Sequence, residues 1–368
     1  MPVYKNKKGT WYASFYYTEW NGNRKKKKKE GFKTKKEAQE YEREFIAKQN
    51  GSTDMTMGSL IELYFADCAD RLKITTNENK HWLIETKILP YFADVPVRDV
   101  SPNMVRRWQN KLLKDPAGYA PTYLKSINNQ LSAIMNFAIR YYGLQSNPVV
   151  LCGPFGKKKA EEMQFWTKEE FYKFIECIKD KPAGRLAFEV LFWTGMRSGE
   201  LLALTLEDVD FDKSTISITK TAAQVKGQTI ISDPKTTKSK RKITVPNFIL
   251  ALIKDYTDRL VGYQPTDRIF YFTKHYLQTE MKRGCKLSGV KKIRVHDLRH
   301  SHASLLIEMR CSIKLVAERL GHENIQTTLQ TYAHLYPNKQ GELSAQFDES
   351  EAERMSELLK NYDKNSGS

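Results

Sequence analysis

Four stretches in the C-terminal half of the chain collect side chains that could do chemistry together. FWTGMRSGELLAL carries Arg197 just beyond a helix that its pattern ends at Gly195, with Glu200 three residues on. ISDPKTTKSKRKITVP places Lys235 at the mouth of a β turn. VHDLRHSHAS sets His296 and Arg299 three residues apart. LGHENIQTTLQTYAHL puts His322 ten residues before Tyr332. A planar guanidinium gives two parallel hydrogen bonds to an oxyanion, so a pair of arginines suits a centre where negative charge develops. A phenol, with a pKa of about 10, is a poor nucleophile until a base or a positive field assists it. An imidazole can take its proton, and an ammonium can protonate a leaving group. Taken singly, each residue has an ordinary explanation. An arginine after a helix makes a salt bridge, a turn lysine is solvated, His and Arg three apart on a helix are common, and a tyrosine in an amphipathic stretch packs in a core. The order and combination of the set carry the weight. His300 and His302, beside the His–Arg pair, read as packing or helix-surface residues. Tyr336, four residues after Tyr332, shares its helical face and is the rival nucleophile. His334 and the five cysteines read as structural.

These residues need a scaffold. Residues 164–340 read as helices around one β insertion. Thr167 with Glu170 makes a capping box, and STISITKTA and KRKITVP are β-branched runs flanking a lysine-rich turn. A linker from Gly153 to Lys159 precedes this segment. Residues 56–152 read as helices only. Ser101-Pro102 opens a helix running to Leu113, and Pro121 opens another whose Leu124, Ile127, Leu131, Ile134, Met135 and Ala138 recur at three and four. Trp82, Ile84, Ile88 and Leu89 form a further apolar group.

Residues 1–50 read as a small unit of their own. WYASFYYTEW alternates, with Trp11, Ala13, Phe15 and Tyr17 on one face. Asn21-Gly22 is a hairpin turn, and the return strand carries Arg24, Lys25, Lys26, Lys27, Lys28 and Lys29. A helix then starts at Thr34, capped by Glu37. This stretch holds 14 basic and 6 acidic side chains, about half of the chain's formal charge of +17. A lysine run is often a solvated edge strand. Concentrated beside aromatics, it points here to DNA binding. The tail, 341–368, reverses sign at net −4, with Ala352, Met355, Leu358 and Leu359 at helical spacing.

The charge implies a polyanionic partner. A membrane is disfavoured, because no stretch approaches the ~20 apolar residues of a span and the N-terminus lacks a signal-peptide core. The scattered cysteines form no CxxC pair and suit a reducing cytoplasm. No GxxxxGK[ST] loop points to ATP.

The two motif-dense stretches, TGMRSGELLALTLEDVDF and HDLRHSHASLLIEMRCSIKLVAERLGHENIQTTLQTYAHL, resemble the tyrosine recombinase, or phage integrase, family over the whole of 164–340. Residues 56–152 resemble its helical core-binding domain. Residues 1–50 resemble the arm-type DNA-binding domain of phage and integrative-conjugative-element integrases. The resemblance implies a mainly α multidomain chain with small β elements and a mixed α+β catalytic domain. It implies a site-specific recombinase that cuts and rejoins DNA through a 3′-phosphotyrosyl bond at Tyr332, whose spacing from His322 fits better than that of Tyr336. On a phosphodiester, Arg197 and Arg299 would clamp the non-bridging oxygens and His322 would hydrogen-bond one of them. His296 would accept the tyrosine proton, Lys235 would protonate the leaving 5′-hydroxyl, and Glu200 would orient the site. Bond energy is kept in the covalent link, so no metal or nucleotide cofactor is expected. The implied partners are core and arm attachment sites in duplex DNA, a homotetramer on that DNA, a host bending factor and an excision factor. The implied setting is a bacterial cytoplasm, and the implied role of the tail is to dock on a neighbouring protomer. Two alternatives stay open: a type IB topoisomerase or host chromosome-resolving recombinase, and a non-catalytic DNA-binding regulator.

Overall fold

The computed structural model describes residues 3–6, 9–18, 24–49, 53–156, 163–234, 237–335, 344, 347–352 and 354. They fall in two compact units, residues 1–162 and 163–368. No described helix is long and apolar enough to cross a membrane.

The first unit has two separate cores. Strands β1 (Val3–Lys5), β2 (Trp11–Thr18) and β3 (Arg24–Phe32) form an antiparallel sheet in the order β1-β2-β3, backed by helix α1 (Lys35–Gln49). Alternation along β2 sends Ala13 and Phe15 inward, where they pack with Ala38, Tyr41 and Phe45. The expected cap is present: the Glu37 amide donates to Thr34 Oγ1 at 3.1 Å, and the Thr34 amide donates back to Glu37 Oε2 at 3.4 Å. The Asn21-Gly22 turn lies outside the described residues.

Register divides the basic run between two faces. Lys25, Lys27 and Lys29 stand opposite Tyr17, Phe15 and Ala13, on the helix side, while Arg24, Lys26 and Lys28 stand opposite Thr18, Tyr16 and Ser14, on the open side. The rings agree. Lys27 sits 5.6 Å from the Phe45 ring and Lys29 4.4 Å from that of Tyr41. Arg24 and Lys28 lie over Tyr16 and Tyr12, at 4.6 and 4.9 Å.

The second core belongs to α2 (Met57–Ala69), α3 (Ile74–Lys87), α4 (Leu89–Phe92), α5 (Pro102–Leu113), α6 (Pro121–Tyr142) and α7 (Pro148–Leu151). Ser101 Oγ accepts the Met104 amide at 3.3 Å, and the whole predicted stripe of α6 is buried. Trp82 departs from expectation. It is 55% exposed while Ile84 is fully buried, because two residues along a helix is about 200° around it.

The second unit comprises α8 (Lys168–Glu176), α9 (Pro182–Thr194), α10 (Ser198–Leu201), β4 (Val209–Asp210), β5 (Thr215–Ile218), β6 (Thr221–Val225), β7 (Gln228–Ser232), β8 (Arg241–Thr244), α11 (Asn247–Asp258), α12 (Lys274–Ser288), α13 (Asp297–Glu308), α14 (Ile313–Leu320) and α15 (Ile325–Tyr332). Its core is aromatic: Phe171 stacks on Phe192 at 3.9 Å, and Phe188 meets Phe174 edge-on at 5.0 Å. Strands β4, β5 and β8 form one sheet. The sequence predicts a single turn between β5 and β8, but the structure inserts a second hairpin, β6–β7. Its two-residue tip is Lys226-Gly227, with φ of 49° and 81°, the left-handed pair a tight hairpin needs. A small satellite core joins Ala303, Ile307, Val316, Leu320 and Tyr332.

Candidate active site

Arg197 is placed by a helix break. Gly195 ends α9 at φ 65°, and a Cβ there would lie 2.5 Å from His302 Cδ2. Only glycine fits that turn and that contact. Two residues on, Arg197 caps α10 with extended backbone, and Glu200 accepts from its amide at 2.9 Å and from its Nη1 at 2.8 Å. The Arg197 side chain stays 37% exposed, whereas that of Glu200 is 3% exposed.

Glu200 has a second and more buried partner. Arg241, the first residue of β8, donates Nη2 to Oε2 at 3.0 Å and Nη1 to Oε1 at 3.2 Å, and its Nε donates to the Arg319 carbonyl at 2.8 Å. Burial pushes the Glu200 carboxyl up. The Arg241 hydrogen bonds and charge, with the Arg197 amide, outweigh burial and hold it below the usual range. The carboxylate therefore ties the α10 corner to β8. Sequence reading singles out Glu200 and misses Arg241. The alternation of Arg241, Ile243 and Val245 toward the interior, against exposed Lys242 and Thr244, was the available signal.

Arg299, in the first turn of α13, is 3% exposed. Its Nη1 donates to the Gly195 carbonyl at 2.9 Å and its Nη2 to the Leu320 carbonyl. One guanidinium is thus held by the ends of α9 and α14. Burial, then the charges of Arg197 and Arg241, push its pKa down to about 9, so it is charged at neutral pH. Asp297 fixes the start of the same helix by accepting from the Arg294 amide at 2.8 Å.

Three histidines approach this centre. His322 follows Gly321, which ends α14 at φ 66°, and its Nδ1 shares a hydrogen bond of 2.8 Å with Thr328 Oγ1. Burial, then Arg299, Arg197 and Arg241, push His322 down to about 4. His296 precedes α13 and is lowered by burial and then by Arg299. His300, one turn into α13, lies with its ring 5.6 Å from that of His296. Both His296 and His322 feel Arg197 and Arg299, so the α9–α10 corner, α13 and the α14–α15 turn converge on one positive centre.

Tyr332 ends α15 with 1% of its surface exposed. Its hydroxyl sits 2.6 Å from His300 Nδ1. Burial pushes the phenol up to about 12, against the opposing pull of Arg299. Sequence reading gives the Tyr332 proton to His296; the contact at the hydroxyl is with His300, which the sequence reads as a packing or helix-surface residue. His302 is the packing residue of the pair, buried with Nε2 accepting from Arg319 Nε at 2.9 Å. Lys235, Tyr336, Met355, Leu358 and Leu359 lie outside the described residues.

The chain matches the model of the phage integrase family over residues 164–339, an arm DNA-binding domain over 2–49, and the N-terminal SAM-like domain of phage integrases over 56–113. It is 32% identical to the ICEBs1 integrase of Bacillus subtilis, over 86% of this chain and 90% of that protein. It is 27% identical to a XerC-like tyrosine recombinase of Caldanaerobacter subterraneus, over 83% and 88%. Among solved structures it resembles the Tn1549 transposon integrase in complex with transposon right end DNA, at a TM-score of 0.66 and 20% identity, covering 81% of this chain and 100% of that one. A lambda integrase dimer bound to a core site matches at a TM-score of 0.58 and 19% identity, covering 89% and 93%. With its helical bundle, its small sheets and its Arg–His–Arg–His–Tyr order, the chain belongs to the phage integrase family and is a site-specific recombinase of the tyrosine class.

Proposed function

We propose that this recombinase integrates and excises a mobile element by two rounds of transesterification, with Tyr332 as the nucleophile. Tyr332 attacks the scissile phosphate, a 3′-phosphotyrosyl bond forms and the 5′-oxygen leaves. The 5′-hydroxyl of a partner strand then attacks that bond and releases the tyrosine. Arg197 and Arg299 meet the non-bridging oxygens, with His296 and His322 beside them. The rigid anchoring of Arg299 on two backbone carbonyls suits this, because a preorganised donor does not reorient as charge develops. Lys235 protonates the leaving oxygen. The observation that carries the reading is the buried Tyr332 hydroxyl 2.6 Å from His300 Nδ1, with His300 next in the chain to Arg299, whose guanidinium is fixed on the Gly195 and Leu320 carbonyls.

The three segments divide the labour. Residues 1–50 bind arm sites through the open face of the sheet, residues 56–152 grip the core site, and residues 164–340 cut. The ICEBs1 integrase is a relative over nearly its whole length, which favours an integrative element as the source. A lambda integrase has been solved as a tetramer on a Holliday junction, and we assign the same assembly here, with the acidic tail docking on a neighbouring protomer. A host bending factor and an excision factor complete the complex in the bacterial cytoplasm. The test is a nicked suicide duplex built from the element's own ends. Wild type should accumulate covalent protein–DNA adduct, and Tyr332→Phe should bind the duplex equally well and form none. Wild-type adduct in the variant would move the nucleophile elsewhere.

A further inference from the structure

The reaction requires the phenolic proton of Tyr332 to go somewhere. A proton acceptor must lie within hydrogen-bond reach of the group it deprotonates, about 2.6–3.2 Å between heavy atoms, and geometry decides before acidity does. Among the described residues one imidazole meets that condition: His300, with Nδ1 2.6 Å from the Tyr332 oxygen and the two rings 5.6 Å apart at 56°. With the phenol O–H as donor, Nδ1 accepts and the imidazole proton lies on Nε2. His300 and Tyr332 stand on α13 and α15, and each is held by its neighbours. The same α13 turn carries Arg299, fixed on the Gly195 and Leu320 carbonyls, and the Tyr332 ring packs with Ile307, Val316 and Leu320.

Resting on the assignment of Tyr332 as nucleophile, we propose that His300 is the proton acceptor in strand cleavage. The Tyr332 O–H bond breaks and its proton passes to His300 Nδ1. The phenolic oxygen forms its bond to phosphorus as the bond from phosphorus to the 5′-oxygen breaks, and the departing oxygen takes a proton from the Lys235 ammonium. In rejoining, the attacking 5′-hydroxyl gives its proton to the Lys235 amine, and the proton on His300 returns to the phenolic oxygen as its bond to phosphorus breaks. His296 lies edge-on to His300 and is a neighbour of the pair, not the acceptor.

The surroundings of His300 explain how it stays ready. Burial, then His296, with Arg294 and Arg299 adding to them against Asp297, push it down to about 4. The imidazole is therefore neutral, with its Nδ1 lone pair open, at every pH from about 5 upward. The cost is that its protonated form is disfavoured while no anion is bound. A phosphate seated on Arg299 offsets one of the cations that oppose protonation, and forming the O–P bond makes the phenol a far stronger acid. Substrate binding thus couples proton transfer to attack, and the DNA-free protein keeps its phenol protonated.

The experiment uses the full-length protein and the nicked suicide duplex, with His300→Ala, His300→Gln and Tyr332→Phe beside wild type. Gel shift on the uncut duplex and a thermal melt establish that each variant folds and binds. Glutamine accepts a hydrogen bond but takes no proton, so His300→Gln separates positioning from proton transfer. Cleavage by His300→Gln and His300→Ala should each fall about 10²-fold or more. Added imidazole should restore His300→Ala in proportion to its neutral form, giving a rate that rises with pH near neutrality, whereas wild type has no limb there from His300. Wild-type cleavage by His300→Gln, or cleavage by His300→Ala that is faster than wild type, would overturn the proposal. The second result would make His300 a latch on the tyrosine. Adduct formation by Tyr332→Phe would instead remove the nucleophile assignment, which keeps the two failures distinct.

Discussion

The chain holds two dense collections of positive charge that are built in opposite ways. In the N-terminal sheet, Arg24 to Lys29 are all exposed along one strand. In the catalytic unit, Arg241 and Arg299 are buried, and each is wired to named oxygens. The first kind of charge faces water, acts over a Debye length of about 8 Å at physiological salt, and is interchangeable with its neighbours to first order. The second has given up its hydration and holds only because each guanidinium meets a carboxylate or a carbonyl. Charge on a strand is a quantity, while charge in a core is a geometry. Substitutions in the two regions should therefore fail in different ways.

The largest effect belongs to the buried set. Arg241→Leu removes both hydrogen bonds that β8 gives Glu200 and leaves a carboxylate in the interior with only Arg197 to meet it. Breaking a buried pair from one side costs about 3–5 kcal/mol, and urea unfolding should show a loss of that order. The double variant Arg241→Leu/Glu200→Leu should recover much of it, since removing both charges is far cheaper than stranding one. A single variant as stable as wild type would mean that the pair is solvated and that the contrast with the sheet is false.

An acid titration separates the regions next. His300 and His322 are held at about 4 and His302 at about 3, against 6.5 when unfolded. A base with a lowered native pKa binds fewer protons when folded, so the stability it contributes is complete above pH 6.5 and drains away as pH falls toward 4. The melting temperature of the catalytic unit should drop between pH 7 and pH 5. In His302→Asn, which removes one buried base, the drop should be shallower. Residues 1–50 hold no histidine. Amide exchange in β2 and β3 should therefore stay flat, and equal loss in both regions would erase the distinction.

How much of this was legible in the sequence follows from the range of each interaction. Caps are local, so Ser101 is read correctly from the proline that follows it, and Thr167 and the Thr34–Glu37 pair from three-residue spacings. The chemistry-bearing residues are read from their order along the chain. What fails is what tertiary structure alone brings together. Arg241 meets Glu200 across 41 positions and Tyr332 meets His300 across 32, and nothing local announces either. The β6–β7 hairpin was missed for another reason: Lys226-Gly227 is a good turn, but its strands alternate weakly, with only Ala222 buried on β6 and no fully buried residue on β7.

The smallest effect tests whether even the sheet is purely a quantity of charge. Register puts Arg24, Lys26 and Lys28 on the open face and Lys25, Lys27 and Lys29 on the face backed by α1. Two triple alanine variants, one per face, remove the same formal charge. A phosphate neutralised by a side chain releases counterions, and each contact contributes about 0.9 to the log–log salt dependence of duplex binding. If the open face lies on the DNA, its triple variant should flatten the slope for arm-site binding by up to about 2.7. Lys27 and Lys29 lie over the Phe45 and Tyr41 rings on the other side, so their triple variant should flatten it much less, although affinity falls somewhat through the lost net charge. Filter binding of each variant to an arm-site duplex between 50 and 200 mM salt, about the range over which such contacts are commonly resolved, gives both slopes. Equal flattening would show that the strand acts as a featureless charge reservoir. A steeper loss from the helix-side triple would place the DNA on the other face. A slope that moves only for the open-face variant would mean that the pleat, by sending alternate residues to opposite sides, has given even this exposed run a geometry.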